Sequence, residues 1–181
     1  MGLVGLVGGD WGKGMETVEG GVRVVVGTGR GVREGGWGRW WVVEGEYGLV
    51  GIGWAEGEDA GSTWVRPVGV ALDRIVEDPA VGFPFPVEFG GTSFQREVWQ
   101  SLRGIPCGET RTYGELAAQL GRPGSARAVA GAVAANRLAL VIPCHRVIPA
   151  SGGTGGYRWG GDRKRDLLER ERMIVERSGK P

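Results

Sequence analysis

The stretch "LVIPCHRVIPASGG", residues 140–153, sets the only histidine of the chain, His145, directly after Cys144, one of two cysteines. That pair is a candidate nucleophile with its base. A thiol reacts as the thiolate, its ordinary pKa is about 8.5, and a nearby base or a helix N-terminus brings the thiolate within reach of neutral pH. Adjacent side chains in an extended segment point apart, so His145 would act through a local bend or a bridging water rather than by direct contact. The competing reading is a buried small hydrophobe, the usual fate of a free cysteine. Glu171 belongs to the same question. It follows Leu167 by four residues and Leu168 by three, so it shares their apolar helix face. A carboxylate there needs a partner. His145 is the proton-sharing candidate at neutral pH, and an arginine is the alternative. Cys107, in "GIPCGET", has no histidine near it in the sequence and reads as structural.

Several elements must position these groups. Thr92 and Gln95 have capping-box spacing, and Phe94, Val98, Leu102 and Ile105 continue as a helical apolar stripe. Thr112 and Glu115 repeat the box and open a helix through Leu116 and Leu120. After a glycine- and proline-containing break, a third helix is predicted from about 125 to 135. Two short helices joined by a tight turn make a helix-turn-helix candidate. The second of them is almost all Ala, Gly and Val with Arg127 as its one charge. It reads either as a buried packing helix or as one able to approach another surface closely. The apolar run before Pro143 reads as a strand leading into a corner, and a last helix spans about 161–177. In the first half, residues 1–36 are about one third glycine, interrupted by "VRVVV" as one strand. Residues 39–54 read as two strands around a turn containing Gly45 and Gly48, "GVALDRIVED" as a short helix, and the Pro-rich segment 78–89 as a linker.

A chain of 181 residues is long enough to bury a core without staples. Two cysteines and one histidine exclude a disulfide framework and a zinc site of the usual Cys/His kind. No metal or cofactor is expected. No apolar run approaches the roughly eighteen residues of a membrane span, and the start lacks the basic flank and long apolar centre of a signal peptide. A soluble, cytoplasmic protein is expected, or a nuclear one in a eukaryotic source. "GGDWGKG" and "GTGRG" lack the spacing of phosphate-binding and dinucleotide loops. The net charge of +1 conceals an asymmetry: residues 1–90 carry 7 Lys+Arg against 13 Asp+Glu, and residues 91–181 carry 15 against 8. The basic half favours a polyanionic partner, with solvated arginines on ordinary helices as the plainer reading.

"VIPCHRV", preceded by "SARAVAGAVAAN" and followed by "GGYRWGGDRKRDLLERE", strongly resembles the O6-alkylguanine-DNA alkyltransferases, or methylated-DNA–protein-cysteine methyltransferases. The likeness spans about 89–171 and is greatest to the C-terminal domain of the bacterial adaptive-response protein. It implies an α+β fold: residues 1–36 as a glycine-rich leader, 37–88 as a small N-terminal sheet-and-helix domain with linker, 89–177 as a mainly α-helical domain with a winged-helix-like helix-turn-helix, and 178–181 as a tail. It also implies irreversible, single-use transfer of a methyl or other alkyl group from O6-alkylguanine in double-stranded DNA, with O4-alkylthymine as a second candidate substrate, to a cysteine. Non-catalytic lesion binding is the alternative, and a cysteine–histidine hydrolase is disfavoured for want of an orienting Asn or Asp beside the adjacent pair. By resemblance Cys144 is the acceptor, and His145 and Glu171 form with a water the relay that makes the thiolate. Asn136 ties the turn beneath the site to the DNA-binding helix, and Tyr113 acts at the phosphate and base of the target nucleotide. Arg127 fills the gap left by the flipped base, with Ser125 and Ala128 beside it on the minor-groove-facing helix. Cys144, Val147, Tyr157 and Arg158 line the guanine pocket, and Arg146 serves structure more than chemistry. The implied protein is a monomer without zinc, cofactor or membrane partner. The leader matches nothing in the family, and Arg137 and Ala139 stand where many members have proline.

Overall fold

Both capping boxes close as the spacing predicts. In the computed structural model, which describes residues 16–19, 22–25, 39–44, 48–55, 66–79 and 81–179, the Thr92 side chain accepts from the Gln95 amide while the Gln95 side chain accepts from the Thr92 amide. Thr112 and Glu115 do the same. Each pair satisfies two of the orphan amides at a helix start. The two glycine-rich loops dismissed above, the hairpin turn at Gly45 and the end of the tail lie outside the described residues.

In chain order the elements are strands β1 (Glu16–Glu19), β2 (Val22–Val25), β3 (Arg39–Glu44) and β4 (Leu49–Ala55), then helices α1 (Arg66–Glu77) and α2 (Ser93–Arg103). There follow strand β5 (Arg111–Thr112), helices α3 (Tyr113–Gln119) and α4 (Ala126–Ala134), a single 3₁₀ turn at Cys144–Arg146, strand β6 (Val147–Ile148) and helix α5 (Gly161–Arg177). Helices with a small sheet make this an α+β fold. The first four strands form one antiparallel sheet in sequence order. The leader therefore contributes two strands, β1 and β2, where its composition suggested one; pairing along the sheet supplies what local propensity does not. The short helix read from "GVALDRIVED" is α1, which begins three residues earlier, at Arg66.

β4 is the strand that meets the second half of the chain. The Ile52 amide donates to the Arg137 carbonyl at 2.6 Å, and the Ala139 amide donates to the Ile52 carbonyl at 2.9 Å. Further along the linker, the Leu49 amide donates to Pro86 and the Glu88 amide to Leu49, both at 2.9 Å. Ile52, Leu72, Val98, Leu102, Leu116, Val129, Ile142 and Leu167 belong to one continuous buried core. A fully buried aliphatic chain of this size contributes about 2 kcal/mol.

α2, α3 and α4 pack around that core. Trp99 of α2 donates its indole N–H to the Ala132 carbonyl of α4 at 2.8 Å. α3 ends in a Schellman arrangement: the Gly121 amide bonds the Ala118 carbonyl, the Arg122 amide bonds the Ala117 carbonyl, and Gly121 takes a φ of +68°. The chain then turns directly into α4.

Candidate active site

A two-residue parallel ladder brings two distant segments side by side. Arg111 pairs with Val147 and Thr112 with Ile148, so the strand that opens α3 at Tyr113 runs alongside the strand that leaves the Cys144–Arg146 turn. The run before Pro143 is not the strand its apolar composition suggested. It is a tight turn in which the Ile142 amide donates to the Leu138 carbonyl at 3.0 Å and Leu140 holds a left-handed φ of 64°, a conformation with a strain of order 1–3 kcal/mol for a branched side chain. Asn136 holds this turn. Its Oδ1 accepts from the Leu138 amide at 2.9 Å, and its Nδ2 donates to the Ile142 carbonyl and to the Cys144 Sγ, both at 3.1 Å. The donor at Leu138 and the acceptor at Ile142 fix which end of the amide faces the sulfur.

Cys144 is 4% exposed. Burial pushes its thiol up to about 11, against the opposing effects of the Asn136 hydrogen bond, the Lys164 charge, the cysteine's own amide and Tyr157. At neutral pH the sulfur is protonated.

Glu171 is a buried hub on which only donors converge. His145 Nε2 lies 2.8 Å from Oε1; Arg146 donates Nε to Oε2 at 2.9 Å and a terminal nitrogen to Oε1 at 2.7 Å; the Gly108 amide donates to Oε2 at 3.1 Å. Histidine and arginine, posed as alternatives by the sequence, are both partners. Burial alone would raise the Glu171 carboxyl, but the hydrogen bonds from His145 and Arg146 and the Arg146 charge hold it down to about 2. It is therefore ionised, so Nε2 of His145 carries the hydrogen and Nδ1 presents a lone pair. Nδ1 has no hydrogen-bond partner among the described residues. Burial, only partly offset by Glu171, holds the imidazole below its ordinary pKa and hence neutral.

Other residues named from the sequence fall around this centre. Tyr113 is half-buried, and its hydroxyl is raised first by burial and then by Cys144. Val147 is buried, and Tyr157 lies beside the thiol, its own hydroxyl raised by burial and then by Cys144. Arg158 bonds the Ala134 carbonyl at 3.3 Å, linking the loop to the end of α4. Arg127 and Ala128 are exposed on α4, and Ser125 is its N-cap position without a side-chain bond.

A family model described as "6-O-methylguanine DNA methyltransferase, DNA binding domain" matches residues 93–173. The bifunctional transcriptional activator/DNA repair enzyme Ada of Escherichia coli is 55% identical over 92 residues, covering 51% of this chain and 26% of Ada. The methylated-DNA–protein-cysteine methyltransferase of Mycolicibacterium paratuberculosis is 46% identical over 120 residues, covering 66% of this chain and 70% of the relative. The chain belongs to the methylated-DNA–protein-cysteine methyltransferase family. Among solved structures, that of Mycobacterium tuberculosis OGT in complex with DNA is similar with a TM-score of 0.62 at 37% identity, covering 74% of this chain and 87% of that one. Against Ada, the chain spans only about a quarter of the relative's length.

Within this methyltransferase fold two groups near the thiol went unread in the sequence. Lys164 is wholly buried, with Nζ donating to the Val147 carbonyl at 2.6 Å and near the Gly156 carbonyl at 3.5 Å. Burial lowers its pKa while Cys144 raises it. The signal was its position: Lys164, Leu167 and Glu171 form one stripe of α5. The second is Gly108, whose φ of +78° and whose approach to Val175, which a Cβ would meet at 2.7 Å, exclude a side chain there. Its amide can therefore reach Glu171. Cys107, next to it, is half-buried, its thiol raised to about 11 by burial and then by Glu171. Among the described residues no group of three or more His, Cys, Asp or Glu is placed to hold a metal, and no helix is long and apolar enough to cross a membrane.

Proposed function

We propose that this protein repairs DNA by direct reversal, moving an alkyl group from O6 of guanine, and by the same chemistry from O4 of thymine, onto Cys144. The observation that carries the reading is the buried thiol held by Asn136 beside a neutral histidine whose far nitrogen is bound to an ionised glutamate. A water bridging Sγ and His145 Nδ1 passes the thiol proton to the imidazole, and Glu171 stabilises the imidazolium that results. The thiolate attacks the alkyl carbon, an S–C bond forms, and the C–O6 bond breaks with its electron pair left on the guanine. The Tyr113 hydroxyl donates a proton to that leaving group and regains one from solvent, as the His145 imidazolium gives its proton up. The product thioether does not revert, so one molecule serves one lesion. Val147, Tyr157 and Arg158 line the space the base enters.

An alkyl group inside a duplex is out of reach of a thiol this deeply buried, so the nucleotide must leave the stack. We assign that task to α3 and α4 as a winged-helix-like helix-turn-helix. α4 buries Val129, Ala132 and Val133 and exposes Arg127, Ala128, Gly131 and Ala134. A Cβ added at Gly131 would meet nothing within 4 Å, so internal packing does not demand the small residues on that face. Their smallness suits close approach to a minor groove, with Arg127 inserted where the base was. Ser125 contributes at the helix start. The protein acts as a cytoplasmic monomer without cofactor.

Mixing the protein with DNA carrying O6-methylguanine should add the mass of one methyl group, located on Cys144 by peptide mapping, and Cys144→Ala should gain nothing. Tight lesion binding with no mass gain would establish lesion recognition without transfer instead. Arg127→Ala should weaken repair of duplex DNA by about tenfold or more while reacting with free O6-benzylguanine within about twofold of wild type, because only the duplex requires flipping. Equal losses on both substrates would remove Arg127 from that role.

A further inference from the structure

The sheet at the start of the chain reaches into the reacting centre through one side chain. Ile52 and Trp54 stand two residues apart on β4 and so share a face of the strand. The backbone of Ile52 is stitched to Arg137 and Ala139, directly after the asparagine that holds the Cys144 turn. Trp54, 4% exposed, packs against two aromatic residues of the loop that leads into α5. Its ring centroid lies 6.3 Å from that of Tyr157, edge-on, and 5.6 Å from that of Trp159. Tyr157 and Trp159 complete the triangle at 5.2 Å. Arg163 closes the cluster, its guanidinium 5.5 Å from the Trp54 ring while it donates to the Trp159 carbonyl at 2.9 Å. A tilted or edge-on aromatic triad fixes ring orientation as well as position. Tyr157, whose buried hydroxyl has no hydrogen-bond partner among the described residues and is raised by burial and then by Cys144, is thus oriented by a residue from another part of the chain.

We propose that Trp54 is a positioning residue for alkyl transfer: it seats Tyr157 so that the tyrosine hydroxyl faces the Cys144 sulfur and the pocket wall keeps its shape. The inference rests on the alkyl-transfer reading above, and it predicts that Trp54 acts through Tyr157 and not independently of it. Contacting side chains in one cluster are strongly non-additive, whereas independent ones add.

The test is a double-mutant cycle of wild type, Trp54→Leu, Tyr157→Phe and the double variant, with benzyl transfer from free O6-benzylguanine to Cys144 followed by mass. Each single variant should be slower by about tenfold, and the double variant within about twofold of Tyr157→Phe. Trp54→Phe, which keeps a ring, should recover most of the rate and serves where the leucine variant does not fold. A full additional loss from Trp54→Leu in the Tyr157→Phe background, or a wild-type rate in Trp54→Leu, would overturn the proposal. Iodoacetamide alkylation of Cys144 supplies a readout that needs no alkylguanine. It should slow by a similar factor in both single variants and no further in the double. Faster alkylation in Trp54→Leu would mean that the pocket had merely opened, and would overturn the positioning role. If the wild-type protein gains neither a benzyl group from O6-benzylguanine nor a methyl group from O6-methylguanine DNA, the alkyl-transfer reading fails, and the iodoacetamide cycle decides the Trp54 inference by the same additivity criterion.

Discussion

Glu171→Gln is expected to slow alkyl transfer by about a hundredfold, the size of a lost general-base assembly, while binding of lesion DNA changes little. The reason lies in the donor count around the carboxylate. His145 Nε2–H, the Arg146 guanidinium and the Gly108 amide all donate to it, so a glutamine brings an NH₂ group into a set made entirely of donors. Neither orientation of the amide fits. The Arg146 charge is left buried without its counter-ion, which destabilises the fold by roughly 3 kcal/mol. Single-turnover transfer from O6-benzylguanine measures the first effect and urea unfolding the second. A transfer rate within twofold of wild type would remove Glu171 from the relay.

The same carboxyl sets an acid limb. Its folded pKa of about 2 lies below the ordinary 4.5, so between those values the unfolded chain binds a proton that the folded one does not. The stabilisation is complete above pH 4.5, fades as pH falls toward 2, and amounts to about 3 kcal/mol. His145, also held below its ordinary 6.5, works in the same direction from pH 6.5 downward. Unfolding titrations of Glu171→Gln should show a flatter dependence between pH 4.5 and 2 than wild type.

Asn136→Asp is the second large effect. The substitution keeps size and shape, and it keeps an oxygen for the Leu138 amide. It loses the donor to the Ile142 carbonyl and to Sγ, leaving an oxygen, anionic or protonated, in place of an NH₂ group with two acceptors to serve. An ionised aspartate beside a developing thiolate adds like-charge repulsion. Transfer should fall by about a hundredfold or more, and the pH profile of Cys144 alkylation should move upward. Stability should drop by roughly 2 kcal/mol or more, because the Ile142 carbonyl is buried and unsatisfied and because the turn restrains Leu140 at φ 64°. A pH profile superimposable on that of wild type would show that Asn136 holds the turn without influencing the sulfur.

What local sequence controls could be read directly. The capping boxes at Thr92 and Thr112 are i to i+3 patterns with one physical meaning, and Glu171 on the Leu167 face announced a buried carboxylate. What depends on distant partners could not. The run before Pro143 has the composition of a strand, but the Asn136 amide and the β4 backbone together fold it into a turn. Arg146, read as structural, shares the Glu171 carboxylate with His145. Lys164 was one cation among the many of α5 until its stripe position and complete burial set it apart. The two strands of the leader owe their place to the sheet rather than to their own residues, and nothing in the first half pointed to Trp54.

The depth of Cys144 bears on chemical discretion. Methylating agents that damage guanine also consume free thiolates, and a protein with one usable sulfur is lost to the first such encounter. With its thiol pushed up to about 11 by burial, Cys144 rests as the thiol at pH 7. Freely diffusing reagents therefore react with this sulfur more slowly than with an exposed thiol. In the proposed repair, the thiolate forms when a base fills the pocket and the His145–Glu171 pair takes the proton. On that reading, burial reserves the sulfur for the lesion rather than for the agent that made it.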